Sequence, residues 1–295
     1  MSVPAAYIGV ILVWATTPLA IKWSGEGSGF LFGVTSRMIL GALLALALVA
    51  VLRLPLPWHR KAVKTYVAIA SMLYGSMMCT YWAIQYLPSG LISVLFGTTP
   101  LITAVFAALL LREDSLRPQH LLGIGLALSG LWIIYASDVI NSRLSALGVG
   151  AILLAVLIHS ASSVLIKHIG AELPALSITA GGLVITAMLY ALTWLGWHGT
   201  YIPDVPERAA WAIGYLGLFG SVLGFVMFFY ALKHVPANTM SLITLVTPVA
   251  ALLIGNQFNN EPVLPDTWAG TALIMTGLVF HQWRNRPATL PESQI

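Results

Sequence analysis

The sequence predicts an all-α integral membrane protein of ten transmembrane helices, arranged as two inverted-topology five-helix repeats with both termini cytoplasmic. Composition, run length and an internal repeat lead to that reading. Of 295 residues, 58% are apolar and only 8% charged, and the mean hydropathy is +0.88, which is too apolar for an ordinary soluble globule. Lipid leaves no exposed backbone unsatisfied, so a spanning chain is either helical or a closed barrel. Period-2 alternation is absent, which removes the barrel.

Cutting at charges, Pro/Gly clusters and loop residues gives runs near 4–23, 31–52, 64–86, 89–111, 119–136, 146–166, 175–197, 209–232, 237–258 and 267–283. A spanning helix needs about 20 such residues. The first run lacks a basic n-region and a small-residue cleavage site, so it reads as a retained helix, not a signal peptide. Connections as short as Pro88-Ser89 and Val235-Pro236 make neighbouring runs antiparallel hairpins and leave no room for an extramembrane domain. Lys and Arg orient the whole. With the N-terminus inside, Arg53, Arg60, Lys61, Lys64, Arg112, Arg117, Lys167, Lys233, Arg284 and Arg286 fall on the cytoplasmic side, against Lys22, Arg143 and Arg208 opposite, as the positive-inside rule requires.

The two copies are visible without gaps. A shift of 148 pairs Ala83 with Ala231, Pro88 with Pro236, Ser93 with Ser241, Thr99 with Thr247, Pro100 with Pro248 and Glu113 with Glu261. A shift of 147 then pairs Pro118 with Pro265, Gly123 with Gly270 and Gly130 with Gly277. The start of each unit admits two pairings, 145 (Ile21-Lys22 with Ile166-Lys167) or 141 (Gly9 with Gly150, Pro18 with His159). The expected units are 1–140, 141–286 and a cytoplasmic tail, 287–295. An odd number of spans per unit inverts the second copy, which offers two near-equivalent conformations around a site between the copies.

The pattern A-x4-P-x4-S-x6-P-x12-E, present as Ala83 to Glu113 and again as Ala231 to Glu261, followed by G-x6-G, resembles the drug/metabolite transporter superfamily and its EamA-type ten-helix members. Around CTYWAIQYLPSGLISVLFGTTP the chain is most similar to the bacterial YddG-type aromatic amino acid exporters. The resemblance implies a bacterial inner-membrane carrier with a central cavity, switching by bending of hairpins three-four and eight-nine. Its partners would be a small-molecule substrate and the lipid bilayer, with no nucleic acid and no cofactor, and a monomer is compatible with the sequence.

Prolines interrupt three apolar runs. Pro18, Pro100 and Pro248 would free the carbonyls of Trp14, Phe96 and Thr244, with adjacent threonines supplying hydroxyls. These are the expected hinges. For substrate contacts the sequence offers Tyr74, Met78 and Trp82 at i, i+4, i+8 on the third run with Tyr81 beside them, and Phe225 and Phe228 on the eighth, a lining that would stack on a flat ring. Trp14, Thr17, Ser93, Ser163, Ser241 and Thr244 complete the set with His159. No carboxylate lies deep in a run, and ion coupling commonly uses one; this points to an uncoupled carrier, with His159 as the remaining titrating group. Lys22, Lys167 and Arg37 are expected to snorkel to the interface, the alternative being attraction of a substrate carboxylate. Neither HExxH, paired-aspartate nor nucleophile-elbow patterns occur, so no enzyme, no catalytic residue and no metal site is expected.

Overall fold

The structure is a computed structural model that describes residues 2–111, 118–137, 140, 142–170, 173–224, 226–228, 231 and 237–282; the side chains of 118–120, 237–242 and 281–282 are not described. Among the described residues every regular element is helical. In chain order they are α1 (Val3–Ser24), α2 (Phe30–Val51), α3 (60–83), α4 (Ser89–Leu111), α5 (Pro118–Tyr135), α6 (Arg143–Ile169), α7 (Ala175–His198), α8 (Glu207–Phe228), α9 (Ala237–Asn259) and α10 (Pro265–Gln282). Six of them, α1, α2, α4, α6, α7 and α8, are long and apolar enough to cross a membrane on length and composition alone. The apolar parts of α5 and α9 are shorter, Leu121–Tyr135 and Ile243–Asn259, and α3 opens with Arg60, Lys61 and Lys64. The outward surface fits a bilayer: Leu12, Leu43, Trp132, Met188, Leu192 and Leu253 are all more than half exposed, which water would penalise and lipid accepts.

Local chemistry accounts for several helix ends. Ser142 caps α6, its Oγ accepting from Ser145 N at 3.0 Å, and Gly170 closes the same helix in the left-handed region at φ 55°, as capping rules lead one to expect. Two helices depart from α geometry: α3 passes through a π-helical stretch at Met72–Ser76, and α8 through one at Leu216–Leu223. Nothing in the apolar periodicity announces either. A π turn carries an extra residue; Tyr74 lies in the first of these stretches, and Met78 and Trp82 follow it in α geometry. Tyr74 turns to α7, where its hydroxyl meets Thr193 Oγ1 at 2.8 Å; Trp82 instead packs on Tyr86, ring centres 5.1 Å apart.

The helix contacts come in matched sets. α2 packs on α7, α5 on α10, and the first half of α4 on α9. The α3–α7 contact is mirrored by α8–α2, α4–α6 by α9–α1, and α3–α6 by α8–α1. Exchanging α1–α5 for α6–α10 therefore maps this set of contacts onto itself. The α5–α10 pair shows why G-x6-G recurs. A Cβ on Gly130 would come 2.5 Å from Gly270 O, one on Gly270 2.6 Å from Gly130 O, and one on Gly277 2.5 Å from Gly123 O. Such backbone contact is available only to glycine.

The prolines behave differently from one another. α4 is broken: its first half ends at Phe96, Gly97–Thr98 forms a turn, and a second half begins at Thr99. Pro100 thus lies in the first turn of a new helix rather than inside a continuous one, a position where its missing N–H costs nothing. Thr99 Oγ1 donates to the freed Phe96 carbonyl at 2.6 Å, and Thr98 Oγ1 to Leu95 O at 2.7 Å. Pro18 and Pro248 stay inside continuous helices. There Thr17 and Thr247 turn back to Val13 O and Ile243 O, at 2.6 and 2.9 Å.

The glycine contacts predict that Gly130→Ala or Gly270→Ala lowers stability by about 1–3 kcal/mol, the usual cost of forcing a methyl group into a filled site. Gly125→Ala on the same helix, where a Cβ meets nothing within 4 Å, is expected to be neutral. Thermal unfolding of the detergent-solubilised protein checks both.

Candidate functional site

Among the described residues, three groups of interior polar side chains bear on the expected site. The first is at one end of the bundle, where α1 finishes, α4 and α8 begin and α9 finishes. Glu261, in the loop after α9, is 5% exposed. Its Oε2 accepts from Ser89 N (2.7 Å), Ser89 Oγ (2.8 Å) and Gly90 N (3.4 Å). Those amides are the orphan donors at the start of α4, so a carboxylate 172 residues away in sequence caps that helix and faces its positive end. Its Oε1 accepts from Lys22 Nζ at 3.0 Å and Asn259 Nδ2 at 2.9 Å. Lys22 Nζ also donates to Leu87 O at 3.3 Å. Gly255 makes the room: a Cβ there would lie 2.5 Å from Oε2. Around the rim, Trp23 Nε1 and Arg208 Nη2 donate to Asn259 Oδ1 at 3.1 and 3.2 Å. The Arg208 guanidinium sits 4.1 Å over the Trp23 ring and 3.6 Å from Glu26. Lys22 is therefore not a snorkelling cation; its charge is taken up by Glu261. This latch draws α1, α4, α8 and α9 together at one end.

The second place is the break in α4. His159 on α6 presents its ring edge-on to Phe96, centres 6.3 Å apart. Ser160 Oγ donates to Thr99 O at 3.4 Å, and Ser163 Oγ to His159 O at 2.8 Å. Ser163 also reaches Met72 Sδ, at 3.9 Å, on the π stretch of α3. Gly97 faces the other repeat: a Cβ on it would be 3.5 Å from Pro248 Cγ.

The third is between α1 and α8. Trp14 stacks on Phe228 at 5.2 Å, and Thr16 Oγ1 shares a 2.6 Å hydrogen bond with Tyr215 OH, just before the π stretch of α8. Of the two pairings open for the start of each unit, 145 sets Trp14 opposite His159 and 141 sets Pro18 there. Behind them, Tyr190 OH donates to Tyr74 O at 2.8 Å and the two rings lie 4.8 Å apart.

The expected site residues are thus divided. His159 and Ser163 meet at the α4 break, Trp14, Thr17 and Phe228 lie along α1 and α8, and Tyr74 belongs with α7. Met78, Trp82, Ser93 and Thr244 are half-buried, whereas Tyr81 is fully buried. Phe225, the side chain of Ser241, and Glu113 and Pro236 of the repeated motif lie outside the described residues. Sequence reasoning passed over Phe96, Ser89, Tyr190 and the capping role of Glu261. Only Glu261 carried a signal, as the last letter of the repeated motif.

The EamA-like transporter family model matches twice, at residues 3–136 and 146–281. The chain belongs to the EamA-like transporter family. Among EamA-type relatives, the uncharacterized transporter YoaV of Bacillus subtilis is 24% identical over 276 residues, 93% of this chain and 94% of the relative. The uncharacterized inner membrane transporter YedA of Escherichia coli is 25% identical over 285 residues, 93% and 89% of the two chains. A probable terminal-alkyne amino-acid exporter of Streptantibioticus cattleyicolor is 25% identical over 283 residues, 93% and 91%. A solved crystal structure superposes with a TM-score of 0.67 at 20% identity, covering 97% of this chain and 99% of the other; at that identity the likeness carries the fold alone. The chain is accordingly a multi-pass membrane transporter of EamA type.

The latch yields a prediction. Glu261→Gln removes one charge from a buried pair and weakens the cap on α4, so stability is expected to fall by about 1–3 kcal/mol. Lys22→Met in the Glu261→Gln background is expected to add less than it does alone, which a double-mutant cycle on thermal unfolding measures.

Proposed function

We propose that this EamA-type protein is an alternating-access exporter of small metabolites, aromatic amino acids foremost, with a central cavity between two inverted five-helix repeats. It lies in a bacterial inner membrane as ten spans with both termini cytoplasmic. The observation that carries the reading is the contrast between equivalent helices: α4 is broken at Gly97–Thr98, while α9, with the same Thr-Pro at Thr247-Pro248, runs on unbroken. One sequence pattern held in two geometries is what a carrier needs if its halves exchange roles between states. The self-mapping helix contacts and the double family match support the division into copies at 1–140 and 141–286.

In this reading the Lys22–Glu261 latch closes the external face, and Pro18, Pro100 and Pro248 serve as hinges. Substrate contacts come from Trp14, Thr17, Tyr74, Met78, Tyr81, Trp82, Ser93, His159, Ser163, Phe225, Phe228, Ser241 and Thr244. The aromatic members favour a flat ring, and the amino-acid exporter among the relatives favours an amino acid.

Labelled phenylalanine and tryptophan should cross proteoliposomes saturably without a pH gradient. Trp14→Ala and His159→Ala should each cut that flux about tenfold at equal reconstituted protein, a loss typical of a central contact. Absence of saturable flux for both amino acids would contradict the aromatic assignment, and flux that requires a gradient would contradict the uncoupled one.

A further inference from the structure

Arg37 stands eight residues into α2, about 10 Å along the helix from its start at 1.5 Å per residue. The expectation that it snorkels fails: its side chain is turned inward and only 6% exposed. A guanidinium cannot shed its proton in a protein, so this cation is charged wherever it lies. A buried charge without a counter-charge is costly and normally paired. Here it is not. The hydrogen bond described for it is Nε donating to Ser221 Oγ at 3.3 Å, on the π stretch of α8. Ser221 Oγ in turn donates to Leu216 O at 3.1 Å, so this partner brings Arg37 no negative charge. Nη1 is buried with no partner among the described residues. Nη2 lies against Gly220, 3.2 Å from where a Cβ would stand, so the π stretch offers a bare backbone where the fork needs room. The described carboxylates, Glu26, Asp204, Glu207, Glu261 and Asp266, all sit in loops or at helix starts at the latch end. α3 packs on α2 through 77–83, and on that segment Tyr81 is fully buried with a hydroxyl that has no partner among the described residues.

We infer that Arg37, with Tyr81, is an oxyanion site that takes the carboxylate of the transported molecule. The inference rests on the carrier reading above and gives it a substrate class: small molecules bearing a carboxylate. Arg suits the task because its planar fork matches a carboxylate with two parallel N–H···O bonds. In the state described here the fork is enclosed between α2 and α8. Its described hydrogen-bond partner is a neutral hydroxyl, which an arriving carboxylate can displace while supplying a counter-charge.

The test is thermal stabilisation of the purified full-length protein by 3-phenylpropionate, phenylalanine and phenethylamine, which share a ring and differ in their charged groups. Wild type should be protected by the two carboxylates and not by phenethylamine. Arg37→Gln should weaken protection about tenfold or more, as expected for loss of a charge-assisted pair of hydrogen bonds. If Arg37→Gln does not fold, Arg37→Lys, which keeps the charge and loses the fork, should still weaken it several-fold. Equal protection of wild type and variant, or no protection by either carboxylate, overturns the inference. So does protection by inorganic phosphate in place of the carboxylates. Protection through Arg37 by 3-phenylpropionate in a protein that carries no phenylalanine would keep the site and sink the amino-acid reading.

Discussion

Much of this structure depends on one buried carboxylate. Glu261 collects five donors, Lys22 Nζ, Asn259 Nδ2, Ser89 N, Ser89 Oγ and Gly90 N. At 5% exposure, an ionised carboxylate is stable only if its lone pairs are filled. Here the filling is done by three separate helices, so the electrostatic requirement becomes a geometric one. α1, α4 and the end of α9 must meet, and α4 must present its N-terminus to the meeting point. The rim of Trp23, Arg208, Glu26 and Asn259 then ties in α8.

From that fixed end the rest of α4 runs inward to its break, and the break is cheap for local reasons. Gly97 has no side chain to collide with Val94 O, which a Cβ would approach to 2.8 Å, Pro100 needs no hydrogen-bond acceptor, and Thr98 and Thr99 return donors to the carbonyls left behind. The same Thr-Pro step in α9 is compatible with an unbroken helix. The proposed exchange between states requires that the two geometries differ little in energy. α5 and α10 have no such freedom. Their glycine-mediated backbone contact suits a rigid pair against which other helices bend.

How much of this was legible in the sequence depended on whether a signal was local. Helix positions were, to within a few residues, because apolar run length and charged punctuation act locally; the α4 interruption was too, because Pro100 and its threonines announce it. Gly123, Gly130, Gly270 and Gly277 stood out through repetition. The π stretches were illegible, since Met72–Ser76 and Leu216–Leu223 contain nothing that an α-helix would refuse. Lys22 and Glu261 are 239 residues apart, so nothing local connects them. Arg37 was misread for the same reason: its neighbour Ser221 is 184 residues away, and only packing distinguishes a cation facing lipid headgroups from one sealed inside.

The central claim is that the Glu261 latch holds one end of the transport path shut. Its most direct test is access to a cysteine at Ser93, half-buried between the latch and the α4 break, in a Cys79→Ser background. An impermeant thiol reagent should label Ser93→Cys poorly from the latch side when Glu261 is intact, and markedly faster from that side after Glu261→Gln. Equal labelling from the latch side with and without the Glu261 carboxylate would contradict the account.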